Sequence, residues 1–332
     1  MIRIAIDAMG GDLAPAVPVA GAAMALAELP GEIGIQLVGQ QRLIERELER
    51  TDIDRTRIQI VDAPEVIGMG EKPLQAIRSK RSSSITLGLG LQKAGESDAF
   101  ISAGNTGAVM AASTLTLRLF EGFERPAIGT PFPTSRQTVL VLDVGANVDC
   151  SANELVGFAH LGALYARDVM GRTDPAIGLL NIGEEDEKGN AAAKEAHRLL
   201  RESDLKFVGN VEGRHILLGR CEAGDFDVVV CDGFTGNVLL KFYESVERLF
   251  RSLVERELGA ATAASEAMAR IWRRLDYAEI GGAPLLGVRG VSIICHGRSS
   301  PEAIRNAVRV AADAAHHHLV QHMEREFSRA TA

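Results

Sequence analysis

The chain has 332 residues, 46% hydrophobic and 24% charged, a globular composition with room for a large core that excludes intrinsic disorder. Its 44 acidic residues outnumber 36 basic ones, and the formal charge of −8 excludes nonspecific nucleic-acid binding, which needs clustered Lys and Arg. Cysteines at 150, 221, 231 and 295 form no Cys-x-x-Cys pair and have no histidine at finger spacing, so neither a metal site nor a disulfide framework is expected.

From the N-terminus, Asp7 and Asp12 interrupt the apolar region that a signal peptide would need, and no apolar stretch approaches the ~20 residues of a membrane-spanning helix. The cytoplasm is the expected compartment. Short aliphatic runs then alternate with helical patterns. Strands are predicted at Ile2–Ile6, Ile35–Val38, Ile58–Val61, Ala99–Ile101, Thr138–Leu142, Ala176–Leu180, Phe207–Gly209, Asp227–Cys231 and Val291–Cys295. Most are continuous β-branched or aliphatic runs, as suits strands buried on both faces. Helices are predicted between them at Val17–Leu29, Ser84–Ala94, Ser151–Asp168, Asn190–Glu202 and Pro301–Glu326. This alternation predicts an α/β fold with a largely parallel sheet. No repeat or low-complexity linker divides residues 1–332, so a single continuous α/β domain is expected.

Residues 238–275 depart from the rhythm. Val238–Leu258 carries Leu239, Phe242, Val246, Leu249 and Leu253 at helical spacing, with Phe250, Val254 and Leu258 widening the stripe. After the small-residue stretch Gly259–Ser265 comes a second helix with Met268, Ile271, Trp272 and Leu275 on one face. A helical hairpin is expected, packed either on its own domain or against a second subunit.

Glycines and short polar residues cluster just after the predicted strands, where open α/β sheets bind ligands. The clusters are Asp7-Ala8-Met9-Gly10-Gly11-Asp12, Ser102-Ala103-Gly104-Asn105-Thr106-Gly107, Asp143 to Asp149, Asn181 to Asn190, Asp232-Gly233-Phe234-Thr235-Gly236-Asn237, Gly281 to Pro284, and His296 to Ser300. Backbone amides at glycine-rich turns, together with helix N-termini, suit an anion. One such loop reads as an ordinary turn; the set predicts a polar, anion-binding crevice. There is no Gly-x-Gly-x-x-Gly fingerprint, no P-loop and no Gly-x-Ser-x-Gly elbow. Cys231 and Cys295 end apolar runs beside Asp232 and His296, and the ordinary reading for such thiols is core packing.

Taken in order, several stretches resemble the phosphate acyltransferases of bacterial phospholipid synthesis. They are IDAMGGD (6–12), EKPLQAIRSKRSSS (71–84), SAGNTGA (102–108), RPAIGT (125–130), LDVGANVDCS (142–151), LLNIGEEDEKGN (179–190), GNVEGR (209–214), CDGFTGNVLLK (231–241) and GGAPLLGV (281–288). The resemblance covers nearly the whole chain. It implies a three-layer α/β/α fold similar to the isocitrate/isopropylmalate dehydrogenase and phosphotransacetylase group, and a homodimer with hairpin 238–275 at its interface. It also implies that acyl carrier protein thioester and inorganic phosphate give acyl phosphate and free carrier protein without a cofactor. A downstream glycerol-phosphate acyltransferase would consume the product. Relatives make peripheral membrane contact through the hairpin tip; here that tip is rich in small residues and only weakly apolar.

Within that reading, Lys188, in the turn before a helix, is the expected cation for phosphate and developing oxyanion, with a solvated charge run as the alternative. Asn237 is expected to orient the thioester, to cap the following helix, or both. Gly10, Gly11, Ser102, Asn105, Thr106, Gly107 and Asn147 are the expected phosphate cradle. Asp7, Asp12, Asp143 and Asp232 would fix loops, and His296 would act as acid, base or structural partner. An acidic carrier protein would dock on Arg78, Lys80 and Arg81, or on Arg248, Arg251, Arg273 and Arg274. The rivals are a phosphotransacetylase-like enzyme using coenzyme A thioesters, a decarboxylating dehydrogenase, and a non-catalytic carrier-protein-binding scaffold.

Overall fold

A computed structural model describes residues 1–29, 31–51, 53–263, 265–275 and 281–330, with the backbone alone at 260, 263, 274, 329 and 330. The chain divides into two compact units, Met1–Pro126 with Ile280–Ala332, and Ala127–Glu279.

The first unit opens with β1 (Ile2–Asp7), α1 (Ala16–Glu28), β2 (Ile33–Gly39), α2 (Gln41–Leu48), β3 (Ile58–Asp62), α3 (Pro73–Ser79), α4 (Ser84–Lys93), β4 (Ala99–Ser102) and α5 (Thr106–Leu117). β1 pairs in parallel with β2 and β4, and β2 with β3. Every residue of β2 and β4 is buried, so both faces are covered and apolar residues fill both sides of the pleat. Ser83 starts α4 by accepting from the Thr86 N–H, a cap worth about 1 kcal/mol.

The second unit comprises β5 (Ala127–Phe132), β6 (Val139–Leu142), α6 (Ala152–Asp168), β7 (Ala176–Asn181), α7 (Ala191–Glu202), β8 (Lys206–Glu212), α8 (Gly213–Ile216), the short pair β9 (Arg220–Cys221) and β10 (Gly224–Asp225), β11 (Val228–Val230), α9 (Gly233–Leu258), α10 (Ala260–Ala263) and α11 (Glu266–Leu275). Its main sheet runs β5-β6-β11-β7-β8, parallel except for β5 against β6. α6 starts with a capping box: Ser151 Oγ accepts from the Glu154 N–H while Glu154 accepts from the Ser151 N–H.

The chain then returns to the first unit through β12 (Ala283–Leu286), β13 (Val291–Ile294), α12 (Pro301–His316) and α13 (Leu319–Ala330). β13 joins β4 in parallel and β12 pairs antiparallel with β13. Mostly parallel sheets buried between helices are the architecture that strand–helix alternation predicts.

All nine expected strands are present, with ends displaced by a few residues. β5 and β12 were not expected. The predicted helix over Pro301–Glu326 is two helices, broken where His318 takes a positive φ of 53°. The break lets α13 bury Leu319, Met323 and Phe327, with the Phe327 ring 5.7 Å from Phe120 and 4.6 Å from Phe123.

The hairpin is also present, but its first helix starts at Gly233, not after Asn237. Asp232 is the cap: its Oδ1 accepts from the Thr235 N–H and its Oδ2 from the Thr235 hydroxyl, both at 2.8 Å. Asn237 therefore lies inside the helix, and the expectation that it caps α9 does not hold. The glycines at 233 and 236 are needed for contact rather than for a turn. A Cβ on Gly236 would lie 1.9 Å from the Asp143 carbonyl oxygen, and one on Gly233 2.5 Å from that of Asn147.

Further along, α11 packs on α9 through Trp272, whose ring is 5.5 Å from Phe250, and Arg251 sits 4.6 Å above it. Phe242, Val246 and Leu249 remain exposed on another face of α9. Among the described residues, no helix is long and apolar enough to cross a membrane.

The close approach at α9 makes a direct prediction. Gly236→Ala should lower the urea-unfolding free energy by about 1–3 kcal/mol or more through overpacking. Gly90→Ala, in α4 with open space around its Cβ, should raise it by about 0.5–1 kcal/mol. Equal midpoints for the two variants would contradict the contact.

Candidate functional site

The expected residues divide between the two units. In the first, Asp7 ends β1 and is buried. Its Oδ2 accepts from Ser102 Oγ at 2.6 Å and its Oδ1 from the Met9 N–H at 3.1 Å. Burial pushes this carboxyl above the usual range, against the pull of hydrogen bonds from Ser102, Ser84 and Met9. Ser102 Oγ also accepts from the Gly104 N–H at 3.0 Å, tying the loops after β1 and β4 together. A side chain at Gly10 would place Cβ 2.6 Å from Asp7 Oδ2 and 2.7 Å from the Gly104 nitrogen.

Asn105 caps α5, its Oδ1 accepting from the Ala108 N–H at 3.0 Å. Its Nδ2 donates to the carbonyls of Met69 at 2.9 Å, Glu71 at 3.1 Å and Gly68 at 3.3 Å. The side chain thus holds the 68–71 loop and leaves no amide N–H for an anion. Thr106 and Gly107, at the first turn of α5, have N–H groups with no hydrogen-bond partner among the described residues, whereas the Gly10 N–H donates to the Asp7 carbonyl at 3.3 Å. Gly297 joins the cluster by accepting from the Asp12 N–H at 2.8 Å. His296 is exposed, its Nδ1 accepting from the Arg298 N–H at 3.1 Å.

In the second unit, Asp143 ends β6 and is fully buried. Five N–H groups point at it. Oδ1 accepts from Ile128 at 3.0 Å, Ala146 at 3.0 Å and Gly145 at 3.2 Å; Oδ2 accepts from the Asn147 backbone at 2.7 Å and its side chain at 2.9 Å. Burial raises this carboxyl while the donors pull it down. Asn147 is buried and its Nδ2 donates to Asp143 Oδ2 at 2.9 Å, a structural duty. Asn237 lies beside this loop: a Cβ on Gly145 would be 3.7 Å from Asn237 Oδ1. It is exposed, and its amide has no hydrogen-bond partner among the described residues.

Lys188 follows β7. Its side chain is about half exposed (47%), with Nζ 3.7 Å from Glu185 Oε1, a pairing too weak and too wet to withhold the ammonium from an anion. The acidic run before it is not simply solvated. Asn181 Nδ2 donates to the Lys188 carbonyl at 3.0 Å, and Asn210 Nδ2, from β8, donates to that of Glu185 at 2.8 Å. Glu184 lies 3.5 Å from His215 Nε2 and accepts from the Glu222 N–H at 3.3 Å. Arg201 Nη2 donates to both oxygens of Asp186, at 3.0 and 3.1 Å. Buried His197 meets Asn210 Oδ1 at 3.1 Å through Nδ1 and so fixes the Asn210 amide. Gly189, at φ 94°, then turns the chain into α7, which Asn190 caps by accepting from the Ala193 N–H. Of these anchors, Asn210 in GNVEGR, His215 just after it, and His197 and Arg201 in α7 had no role assigned from sequence.

A groove of about 870 Å³ opens at this edge. One side is Gly189, Asn190 and Ala191–Ala193; the other is Asp232, Thr235, Val238, Leu239 and Phe242. Lys188 and Asn237 are not among the lining residues: Lys188 precedes Gly189 in the chain, and Asn237 lies off the face of α9, Thr235, Val238, Leu239 and Phe242, that borders the groove. Three thiols are poor nucleophiles, Cys150, Cys231 and Cys295. Burial pushes Cys150 and Cys295 up to about 12 and Cys231 well above the ordinary thiol range.

Among the expected docking residues, Arg78 and Arg81 are exposed without a partner among the described residues. Lys80 is not available: its Nζ donates to the Val66 carbonyl at 2.7 Å and to Glu71 at 2.6 Å, bracing the 66–71 loop. Arg251 is tied to Glu247 and Trp272. Arg248 and Arg273 are exposed, each donating Nε to a carbonyl of its own helix, and the Arg274 side chain lies outside the described residues.

Comparison with known proteins adds three results. A family model described as "Fatty acid synthesis protein" matches residues 2–322. The phosphate acyltransferase of Heliobacterium modesticaldum is 49% identical over 318 residues, 93% of this chain and 93% of that protein. Among solved structures, a phosphotransacetylase from Streptococcus pyogenes aligns with a TM-score of 0.64 at 18% identity, covering 95% of this chain and 94% of that one. A 4-hydroxythreonine-4-phosphate dehydrogenase from Burkholderia phymatum aligns at 0.51 and 14% identity, covering 96% and 98%. Both structures show a shared fold.

The anchoring of the 182–189 loop predicts that Asn210 acts on the turn through Lys188. Asn210→Ala should leave the unfolding midpoint within about 2 kcal/mol of wild type, the scale of one buried hydrogen-bonding side chain. It should also speed amide exchange at Glu185–Lys188. Unchanged exchange there would remove Asn210 from this role.

Proposed function

The chain belongs to the phosphate acyltransferase family, and from that premise we propose that it transfers an acyl group from acyl carrier protein to inorganic phosphate. A phosphate oxygen attacks the thioester carbonyl carbon, the C–S bond breaks, and the carrier thiolate leaves and takes a proton from solvent. The products are acyl phosphate and free carrier protein. The acyl phosphate is a mixed anhydride, suited to a glycerol-phosphate acyltransferase on the way to phosphatidic acid.

The observation that carries this reading is the Lys188 ammonium, half exposed on an anchored turn that leads into a groove through Gly189 and Asn190. A cation held there neutralises phosphate as nucleophile and the oxyanion as it forms, without rearrangement during the reaction. The Asn237 amide, exposed and unpartnered, serves as donor to the carbonyl oxygen. Direct attack by phosphate, with no covalent acyl-protein, accords with thiols that burial keeps protonated.

An acidic carrier protein fits either of two sets of exposed guanidinium groups, Arg78 and Arg81 or Arg248 and Arg273. The exposed stripe Phe242, Val246 and Leu249 suits a homodimer formed through hairpin 238–275, because a lone helix leaves such a face wet. The phosphotransacetylase-like fold keeps coenzyme A thioesters in view as rival donors.

The test is acyl phosphate formation from palmitoyl carrier protein and phosphate, beside acetyl-coenzyme A. Wild type should prefer the carrier substrate, and Lys188→Ala should lose ~10²-fold or more in kcat. Full activity in the variant would move the catalytic centre elsewhere, and turnover of acetyl-coenzyme A alone would replace the carrier protein as donor.

A further inference from the structure

We propose that the groove of the second unit is the acyl-chain site, taking a long hydrocarbon chain with its carbonyl at the Gly189–Asn190 end. This deepens the acyl-transfer reading above and rests on it. The walls are Leu155, Leu179, Leu180, Leu239 and Phe242, with Ile182 at the rim. Ile182 is 82% exposed, so the rim of the groove presents apolar surface at a polar sheet edge where small donors and acceptors would otherwise be expected.

Polarity sets the ligand class. The N-terminal ends of α7 and α9 both border the groove, and their positive ends favour the partial negative charge of a carbonyl oxygen. Beyond that end the walls are aliphatic and aromatic. The charged lining residues are Asp149 and Asp232, both acidic. A nucleotide or a pantetheine phosphate laid along the groove would meet like charge, whereas a hydrocarbon tail would not. The volume of about 870 Å³ falls in the range of sites for elongated small ligands, roughly 300–1,000 Å³. Each methylene buried should strengthen binding by roughly fourfold, at ~0.8 kcal/mol per group.

Phe242 also belongs to the outward stripe of α9, so contact with a second copy of the chain is the rival occupant. Val246 and Leu249 continue that stripe along the helix without lining the groove. Ala192, in the first turn of α7, is a small lining residue where a larger one would shorten the space.

The experiment compares kcat/KM for octanoyl and palmitoyl carrier protein in wild type, Ala192→Phe and Ile182→Ser, with size-exclusion chromatography on each. Ile182 is exposed, so its replacement tests the wall without threatening the fold. The palmitoyl-to-octanoyl ratio should fall at least tenfold in Ala192→Phe and about fourfold or more in Ile182→Ser. An unchanged ratio in both variants overturns the proposal, as does a changed oligomeric state with the ratio preserved, which would make the groove a contact between copies. Binding of the fluorescent fatty acid cis-parinaric acid separates this proposal from the function it rests on. Wild-type binding that Ala192→Phe weakens tenfold, without acyl phosphate formation, would retain the groove and remove the reaction; no binding would remove the groove.

Discussion

A carboxylate buried at the end of a strand must be solvated by the protein itself, and the second unit is arranged around that requirement. Asp143 has no contact with water, so five N–H groups from Ile128, Gly145, Ala146 and Asn147 take water's place. Gathering them folds the 143–147 loop tightly over the end of β6. The loop turns the Asp143 and Asn147 carbonyls toward α9, the latter accepting from the Gly233 N–H at 2.7 Å, and α9 can begin against them only if residues 233 and 236 lack side chains. From this follows the place of Asn237: one turn into the helix, exposed, beside Gly145. The first unit uses the same device on a smaller scale, where Asp7 draws in Ser102 and Met9 and binds the loops after β1 and β4.

Lys188 is prepared by the opposite strategy. Its own side chain is barely paired, while its backbone neighbours are secured from three directions, by Asn181, by Asn210 of β8, and by Arg201 of α7. The acidic residues before it accept most of that anchoring. Rigid backbone with a free ammonium is what electrostatic catalysis requires, since donors that need not reorganise stabilise developing charge best. Two capped helices start at the same edge, and the groove opens between them.

Much of this was legible in the sequence, and the exceptions have physical causes. Continuous runs such as Val139–Leu142 announced buried parallel strands. Ala127–Phe132 and Ala283–Leu286 did not, because Gly129, Pro131 and Pro284 dilute the aliphatic signal and both strands pair antiparallel at one side. Gly-Phe-Thr-Gly-Asn reads as a turn because glycine is ordinarily a turn residue; only the carbonyls of Asp143 and Asn147, some ninety positions away, show that it is a contact residue here. Likewise the acidic run looks solvated until Arg201, Asn210 and His215 are brought beside it. Asn105 and Asn147 have the right chemistry for an anion, but their amides already hold carbonyls or a carboxylate. Lys80 looked free for docking until Glu71 closed on it.

The measurement closest to the central claim is amide hydrogen exchange with a palmitoyl carrier protein in which an amide replaces the thioester. If acyl transfer takes place at the edge where α7 and α9 begin, the bound analogue should slow exchange in residues 188–193 and 232–242. Slowed exchange elsewhere in the chain, with both of those segments unchanged, would contradict it.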